Sequence, residues 1–269
     1  MSILPKILAK IAAESKQDNL RGSPKGFYRG SEIGGCGRAI QYAALKFPAE
    51  HHTPEQQLLF DDGHMHHDEV RNLLSRVGTL SCVEMNIQKK YVHGGQKFTL
   101  TGTLDCVFDN IVTDIKSIST FRFVGLFKNF PDDYQNYMYQ LQMYMDMSGI
   151  KDGLFVFKNK DNSELKFIEV AYDPAIVAKA LDAVALIHAG IRTGKVTIER
   201  PYARDYWLCR YCKFRIPCRK MPMEQRTWPS ARTGPAEWRI PLTDSSGSTI
   251  TPSLVPTLKA SIKRKREDL

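Results

Sequence analysis

Apolar positions along the chain fall into two rhythms, one of helical and one of strand spacing. Between Pro54 and about Ser75, Leu59, Gly63, His67, Val70 and Leu74 recur at steps of three and four, which predicts a helix presenting them on one face. Residues 1 to about 50 also read as helical. Ile3, Leu4, Ile7, Leu8 and Ile11 form a stripe between Lys6, Lys10 and Glu14, and a further helix opens at Cys36 and carries Ala39, Ile40, Tyr42 and Leu45. From roughly Cys82 to Ser119 the period falls to two, with turn signals at Gly94-Gly95 and Asp109-Asn110, so this stretch predicts a meander of strands. Helical spacing returns from about Asp132 to Met147. A hairpin over Gly153 to Val170 turns at Asn159-Lys160-Asp161-Asn162, and Pro174 to Gly190 predicts a long Ala-rich helix.

This order predicts an α+β domain over residues 1–220, a small central mixed sheet flanked by helices. Residues 221–269 are rich in Pro, Ser and Thr, lack periodicity and end in Lys263-Arg264-Lys265-Arg266, which predicts a disordered basic tail. No apolar run approaches the length of a membrane span, and the start reads as an amphipathic helix, not a signal peptide. The expected workplace is therefore the cytoplasm, a host's if the chain is viral, with no membrane partner.

The Asp109-Asn110 turn has a chemical consequence. A two-residue hairpin there sets Asp105 opposite Asp114, and like charges about 5 Å apart across a sheet destabilise the pairing. Thr103, Asp105, Val107, Val112, Asp114 and Lys116 share this face, whereas Leu104, Cys106, Phe108, Ile111 and Ile115 form the core face. A hard divalent cation, Mg²⁺ or Mn²⁺, would relieve the repulsion, with Lys116 pointing into the same site. An exposed strand face carrying ordinary charges is the competing reading.

Composition adds a partner class. With 42% hydrophobic and 25% charged residues the chain has the make-up of a globular protein, and its net charge of +9 favours a polyanion such as nucleic acid. The excess is spread out: residues 220–269 hold nine basic and five acidic side chains, leaving +5 for the other 219 residues. Six cysteines without a secretory signal argue for thiols or metal ligands over disulfides. Cys209, Cys212 and Cys218 lie close enough in sequence to wrap one metal centre, with Cys36 as candidate fourth ligand. Cys82 and Cys106 fall in strand-like segments and read as buried thiols.

The motifs together resemble a known family. Gly102-Thr103-Leu104-Asp105 followed by Asp114-Ile115-Lys116 resembles the signature of the PD-(D/E)XK nuclease superfamily, specifically its RecB-like branch. Gly63-His64-Met65-His66-His67 is similar to the branch's upstream Gly-x-x-x-His motif, and Gln140 to Tyr144 to its downstream Gln-x-x-x-Tyr motif. The first aspartate follows Leu104 where the superfamily name has proline. The resemblance implies a restriction-endonuclease-like α/β/α core in which Asp105, Asp114 and Lys116 carry catalysis. It also implies His67, Asp105, Asp114 and the backbone carbonyl of Ile115 as ligands of Mg²⁺ or Mn²⁺. Lys116 would orient or deprotonate the attacking water, and Gln140 and Tyr144 would position the site and the DNA backbone. Without the resemblance, His67 reads equally as a satisfied core histidine, Tyr144 and its neighbours as core packing, and His64 and His66 as surface residues.

One cysteine before these motifs and three after them resembles the CRISPR-associated iron-sulfur exonucleases and the nuclease domain of the AddB recombination subunit. That implies a 4Fe-4S cluster on Cys36, Cys209, Cys212 and Cys218, joining the N- and C-terminal segments; zinc is the alternative metal. Arg210, Lys213, Arg215, Arg219 and Lys220 interleave there with Tyr206, Trp207, Tyr211 and Phe214, a mixture suited to a single strand. The activity implied is a DNA exonuclease acting on single-stranded ends, 5′ to 3′. Its rivals are an end-processing nuclease serving partner proteins of a CRISPR adaptation or recombination complex, and a DNA-binding scaffold without catalysis. Gly190 to Val196 lacks the spacing and the Ser or Thr of a phosphate loop, so no helicase motor is encoded in the sequence.

Overall fold

The computed structural model describes residues 6–8, 10–11, 26–50, 53–126, 130, 134–203 and 206–220; the expected basic tail and most of the N-terminal stripe lie outside the described residues. In chain order come β1 (Phe27–Arg29), a 3-10 turn (Gly30–Glu32), α1 (Gly37–Ala44), α2 (Pro54–Leu74), β2 (Leu80–Ser81), β3 (Met85–His93), β4 (Gln96–Leu104), β5 (Cys106–Phe108) and β6 (Ile111–Ile118). Then follow α3 (Thr120–Val124), α4 (Gln135–Ser148), β7 (Asp152–Asn159), β8 (Leu165–Ala171), α5 (Pro174–Arg192), α6 (Trp207–Arg210) and α7 (Arg215–Lys220).

The expected single sheet is two. One has the order β1-β4-β3 and the other β2-β5-β6-β7-β8; β1 runs parallel to β4 and β6 parallel to β7, and the other pairs are antiparallel. The chain crosses between the sheets at Asp105, a bend separating β4 from β5. β1 also corrects the helical expectation for residues 1 to 50: Phe27, Tyr28 and Arg29 alternate exposed, buried, exposed and pair with Thr99, Leu100 and Thr101. Both turn readings hold, with positive φ at Gly94, Gly95, Asp109 and Asn110 as a two-residue hairpin turn of this kind requires.

Helices cover both faces of the five-stranded sheet. Val70 and Leu74 of α2 pack on Cys106, Ile115, Leu154 and Val156. On the opposite face Leu141, Tyr144 and Met145 of α4 meet Val112, Ile118, Phe155 and Phe157 in the main core, which continues through α5 to Tyr28, Phe98 and Leu100 of the smaller sheet. The result is a mixed α+β architecture with helices on either side of a mixed sheet. Thr53 caps α2 by accepting from Gln56 N while Gln56 returns a bond to Thr53 N, which fixes where the helix starts.

Four expectations change. Leu59 is 61% exposed, because the first turns of α2 carry Leu58, Leu59 and Phe60 away from the packed face that begins near Gly63. Cys82 is exposed at a bend with φ +51°, whereas Cys106 is buried as expected. Val107 and Val112 are core residues and not part of a polar face. Finally, α5 is long and apolar enough to cross a membrane by length and composition, yet 56% of that stretch is buried, packed against α1, α4 and β4.

Candidate active site

Asp114 and Lys116 alternate along β6 on the face that looks into the main core. Their strand neighbours on β7 are Phe155 and Phe157, so the two ionised groups are surrounded by rings. Asp114 is 1% exposed. Lys116 Nζ donates to Asp114 Oδ1 at 2.9 Å and lies 4.9 Å from the centroid of the Tyr137 ring. Gln140, reaching down from α4, donates from Nε2 to the same Oδ1 at 2.9 Å and accepts from Lys116 at 3.4 Å. Asp114 Oδ2 has no hydrogen bond: the ammonium is 2.7 Å away, but its approach is too oblique to donate.

Burial pushes the Asp114 carboxyl up to about 6; Asp105 adds to the rise, while Lys116 and His67 oppose it. Burial alone would lower Lys116, but the two carboxylates, Asp114 first, outweigh it and hold the ammonium firmly charged. The site therefore keeps a fixed cation beside a buried carboxylate.

Asp105 reaches this site from the bend between the sheets. Its Oδ2 accepts from Ile115 N at 2.7 Å, one residue beyond the cross-strand position expected from the hairpin. Its Oδ1 lies 3.4 Å from His67 Nδ1. Burial works against ionisation of Asp105, but the His67 hydrogen bond, the Lys116 charge and the Ile115 N–H together hold its carboxyl below the usual range. The structure shows Ile115 meeting Asp105 through its N–H, with its side chain buried on the α2 face. His67 sits one turn beyond Gly63, where α2 passes close to β6; a Cβ on Gly63 would stand 4.0 Å from Ser117 Oγ.

Tyr144 is buried, with its ring laid over Gly102, and burial followed by the Asp114 charge pushes its hydroxyl up to about 12. Tyr144, His67 and Asp105 line a polar cleft of about 830 Å³ with Arg29, Ser31, His64, Glu84, Asn86, Gln88, Thr101 and Thr103. His64 is exposed, as expected of a surface residue, and also lines the cleft; its ring centroid is 6.4 Å from that of His67, a proximity its three-residue spacing could have signalled. Glu84, held by Arg71 at 2.5 Å, carried no sequence signal.

Cys36, Cys209, Cys212 and Cys218 line a second cleft, of about 1340 Å³. Burial pushes the Cys36 thiol up to about 11, with the Cys212 and Cys209 thiols contributing. Among the described residues no three His, Cys, Asp or Glu side chains converge on one point at ligating distance, at either site. The early and late segments of the described domain meet here all the same. Glu50 pairs with Arg215 at 3.0 Å, Tyr42 stacks on Phe214, and buried Gln41 bonds Ile187 O, Thr197 Oγ1, Thr197 N and Ile198 N.

No protein-family profile matches the chain, and no match is found among curated proteins. A solved structure described as SSO0001 aligns over 81% of this chain and 96% of its own, at 19% identity and a TM-score of 0.55, which shows a shared fold. An alkaline exonuclease from Laribacter hongkongensis, LHK-Exo, aligns over 69% of this chain and 93% of its own, at 14% identity and a TM-score of 0.45. The same enzyme in complex with dAMP aligns over 67% and 93%, at 16% identity and a TM-score of 0.40. No assignment rests on these last two similarities.

Proposed function

We propose that the protein is a metal-dependent DNA nuclease of the PD-(D/E)XK type that hydrolyses single strands from their ends. The observation that carries this reading is the buried Asp114–Lys116–Gln140 assembly set behind Asp105 and His67, which line a polar cleft. A core-facing strand has no structural need for an aspartate and a lysine among phenylalanines; removing two charges from water is costly unless function uses them.

Two features suit a hard divalent ion, short of a converged ligand set among the described residues: Asp114 Oδ2 is buried with the Lys116 ammonium beside it at 2.7 Å and accepts no hydrogen bond, and Asp105 is held ionised. Asp105, Asp114, His67 and the Ile115 carbonyl would hold Mg²⁺ or Mn²⁺, which supplies Lewis-acid polarisation of a phosphate and a more acidic bound water. The protein's own groups do the rest. Lys116, fixed by Asp114 and Gln140, presents its ammonium to the attacking water and to the negative charge that grows on the phosphate oxygens. Gln140 holds the carboxylate and the ammonium in register, and Tyr144 closes the cleft floor over Gly102.

The four cysteines are proposed to hold a 4Fe-4S cluster with a structural role, since phosphodiester hydrolysis moves no electrons. Supporting this, soft thiols from both ends of the domain line one cleft.

Anaerobically purified protein, incubated with end-labelled single- and double-stranded DNA, should release nucleotides with Mg²⁺ or Mn²⁺, stop in chelator, and contain iron and sulfide. Cutting that persists in chelator would reject the metal dependence, and no cutting with any divalent ion would reject the nuclease. Zinc in place of iron would reject the cluster and leave the nuclease untouched.

A further inference from the structure

The three-stranded sheet has one face in the main core and one face turned outward. Tyr28, Phe98 and Leu100 point inward. The outward set is fixed by register: Phe27 and Arg29 on β1, Lys97, Thr99, Thr101 and Thr103 on β4, and Asn86, Gln88, Lys90 and Val92 on β3. Arg29, Asn86, Gln88, Lys90, Lys97 and Thr103 are exposed. This face holds three cations and no carboxylate, and its remaining polar residues are hydroxyls and amides.

The face runs into the candidate active site. Arg29, Asn86, Gln88, Thr101 and Thr103 line the same polar cleft as His67 and Asp105, and β4 ends at Leu104 immediately before Asp105. Residues on one side of a strand repeat every second position, about 6.7 Å apart, so Lys97, Thr101 and Thr103, with the buried Thr99 between the first two, form a ladder of about 20 Å that points at the carboxylate.

We propose that this face is the track along which a single strand of DNA is drawn to Asp105, with Arg29, Lys90 and Lys97 on its phosphates; the proposal rests on the nuclease reading. Charge complementarity selects the occupant, since an all-cationic face leading into a cation-dependent hydrolytic site matches a polyanion. A single strand is favoured over a duplex because Phe27, 37% exposed on the same face, offers a ring for stacking, and the threonines and amides offer donors and acceptors to unpaired base edges. Glu32, near Arg29, tempers one of the three cations, so Lys90 and Lys97 are the sharper test.

The full-length protein in chelator, which prevents cutting, is titrated against a fluorescent single-stranded oligonucleotide and read by anisotropy. Joint Lys90→Gln and Lys97→Gln should weaken binding about tenfold near physiological salt and reduce the slope of log K against log salt by about 1.4. With metal restored, KM should rise while kcat holds. A charge-matched control, Lys179→Gln with Lys195→Gln on and after α5, should stay within about twofold of wild type, because loss of net charge alone is screened at a distance. Unchanged binding and KM in the Lys90/Lys97 variant would overturn the track while leaving the nuclease intact, and so would tighter binding of wild type to duplex than to single strand. Binding that falls as expected in a protein that no divalent ion brings to cut DNA would keep the track and overturn the nuclease reading.

Discussion

Gly102 has no room for a side chain. A Cβ there would lie 2.4 Å from Tyr144 Cε1, and one on Gly30 would lie 2.7 Å from the same atom. Gly102→Ala must therefore displace a buried ring, and overpacking of this kind costs about 1–3 kcal/mol, measurable by urea unfolding. In a Tyr144→Ala background the same Gly102→Ala change should cost much less, since the two residues share one contact. Asp146 makes a different residue-scale statement. It accepts from Tyr91 at 2.6 Å, Tyr172 at 2.8 Å and Lys89 at 2.9 Å, tying α4 to β3 and to the start of α5. Burial opposes its ionisation, but the Tyr91, Lys89 and Tyr172 bonds outweigh burial and depress its pKa below the ordinary 3.8. A depressed folded pKa means the stabilisation is present above about pH 4 and disappears as pH falls through the folded value. Asp146→Asn should therefore cost about 1.5–3 kcal/mol at pH 7 and progressively less below pH 4, by urea titration at each pH. An equal deficit at all pH values would show that the charge is not what the tyrosines and lysine hold.

At the scale of elements, α2 carries His67 over one face of the five-stranded sheet, and Lys158 of β7 meets Glu69 of α2 beneath it. Lys158 is 1% exposed and Glu69 half-exposed. Removing Glu69 leaves a buried charge unpaired, so Glu69→Ala should cost about 3 kcal/mol, whereas Lys158→Met, which fills the same volume without charge, should be neutral or stabilising. Thermal denaturation of the two variants separates these outcomes; a Lys158→Met protein as weak as Glu69→Ala would contradict them. The elements also show what the sequence made legible. The Asp109-Asn110 and Gly94-Gly95 turns were readable because their residue types accept positive φ, and the β5–β6 register follows directly, with Cys106 opposite Thr113 and Val107 opposite Val112. The change of sheet at Asp105 was not. Leu104 and Cys106 are both fully buried, so the alternation runs on unbroken, although one faces the main core and the other the α2 layer. For the same reason Val107 and Val112 looked solvent-facing beside Asp105 and Asp114: a sheet covered by helices on both faces carries no polar side to mark them.

Over the whole molecule, the residues that matter come from distant stretches and meet only in the fold. His67, Asp105, Asp114, Lys116, Gln140 and Tyr144 were legible as motifs, and the structure gathers them between α2, β6 and α4. Glu84 was not, because a cleft wall is set by packing and leaves no period behind. The early and late segments of the described domain are likewise joined by ordinary contacts around Gln41, Glu50 and Tyr42, beside the cleft that the four cysteines share. Lys116 stands where the proposed chemistry and the architecture meet, its ammonium held by Asp114 and Gln140. The most direct measurement is the initial rate of nucleotide release from labelled single-stranded DNA by wild type and by Lys116→Ala at saturating Mn²⁺, with circular dichroism to show that both are folded. The rate of Lys116→Ala should fall by about 10²-fold or more, the size expected when a charge-stabilising donor is lost. A folded Lys116→Ala protein that cuts as fast as wild type would contradict the mechanism at its centre.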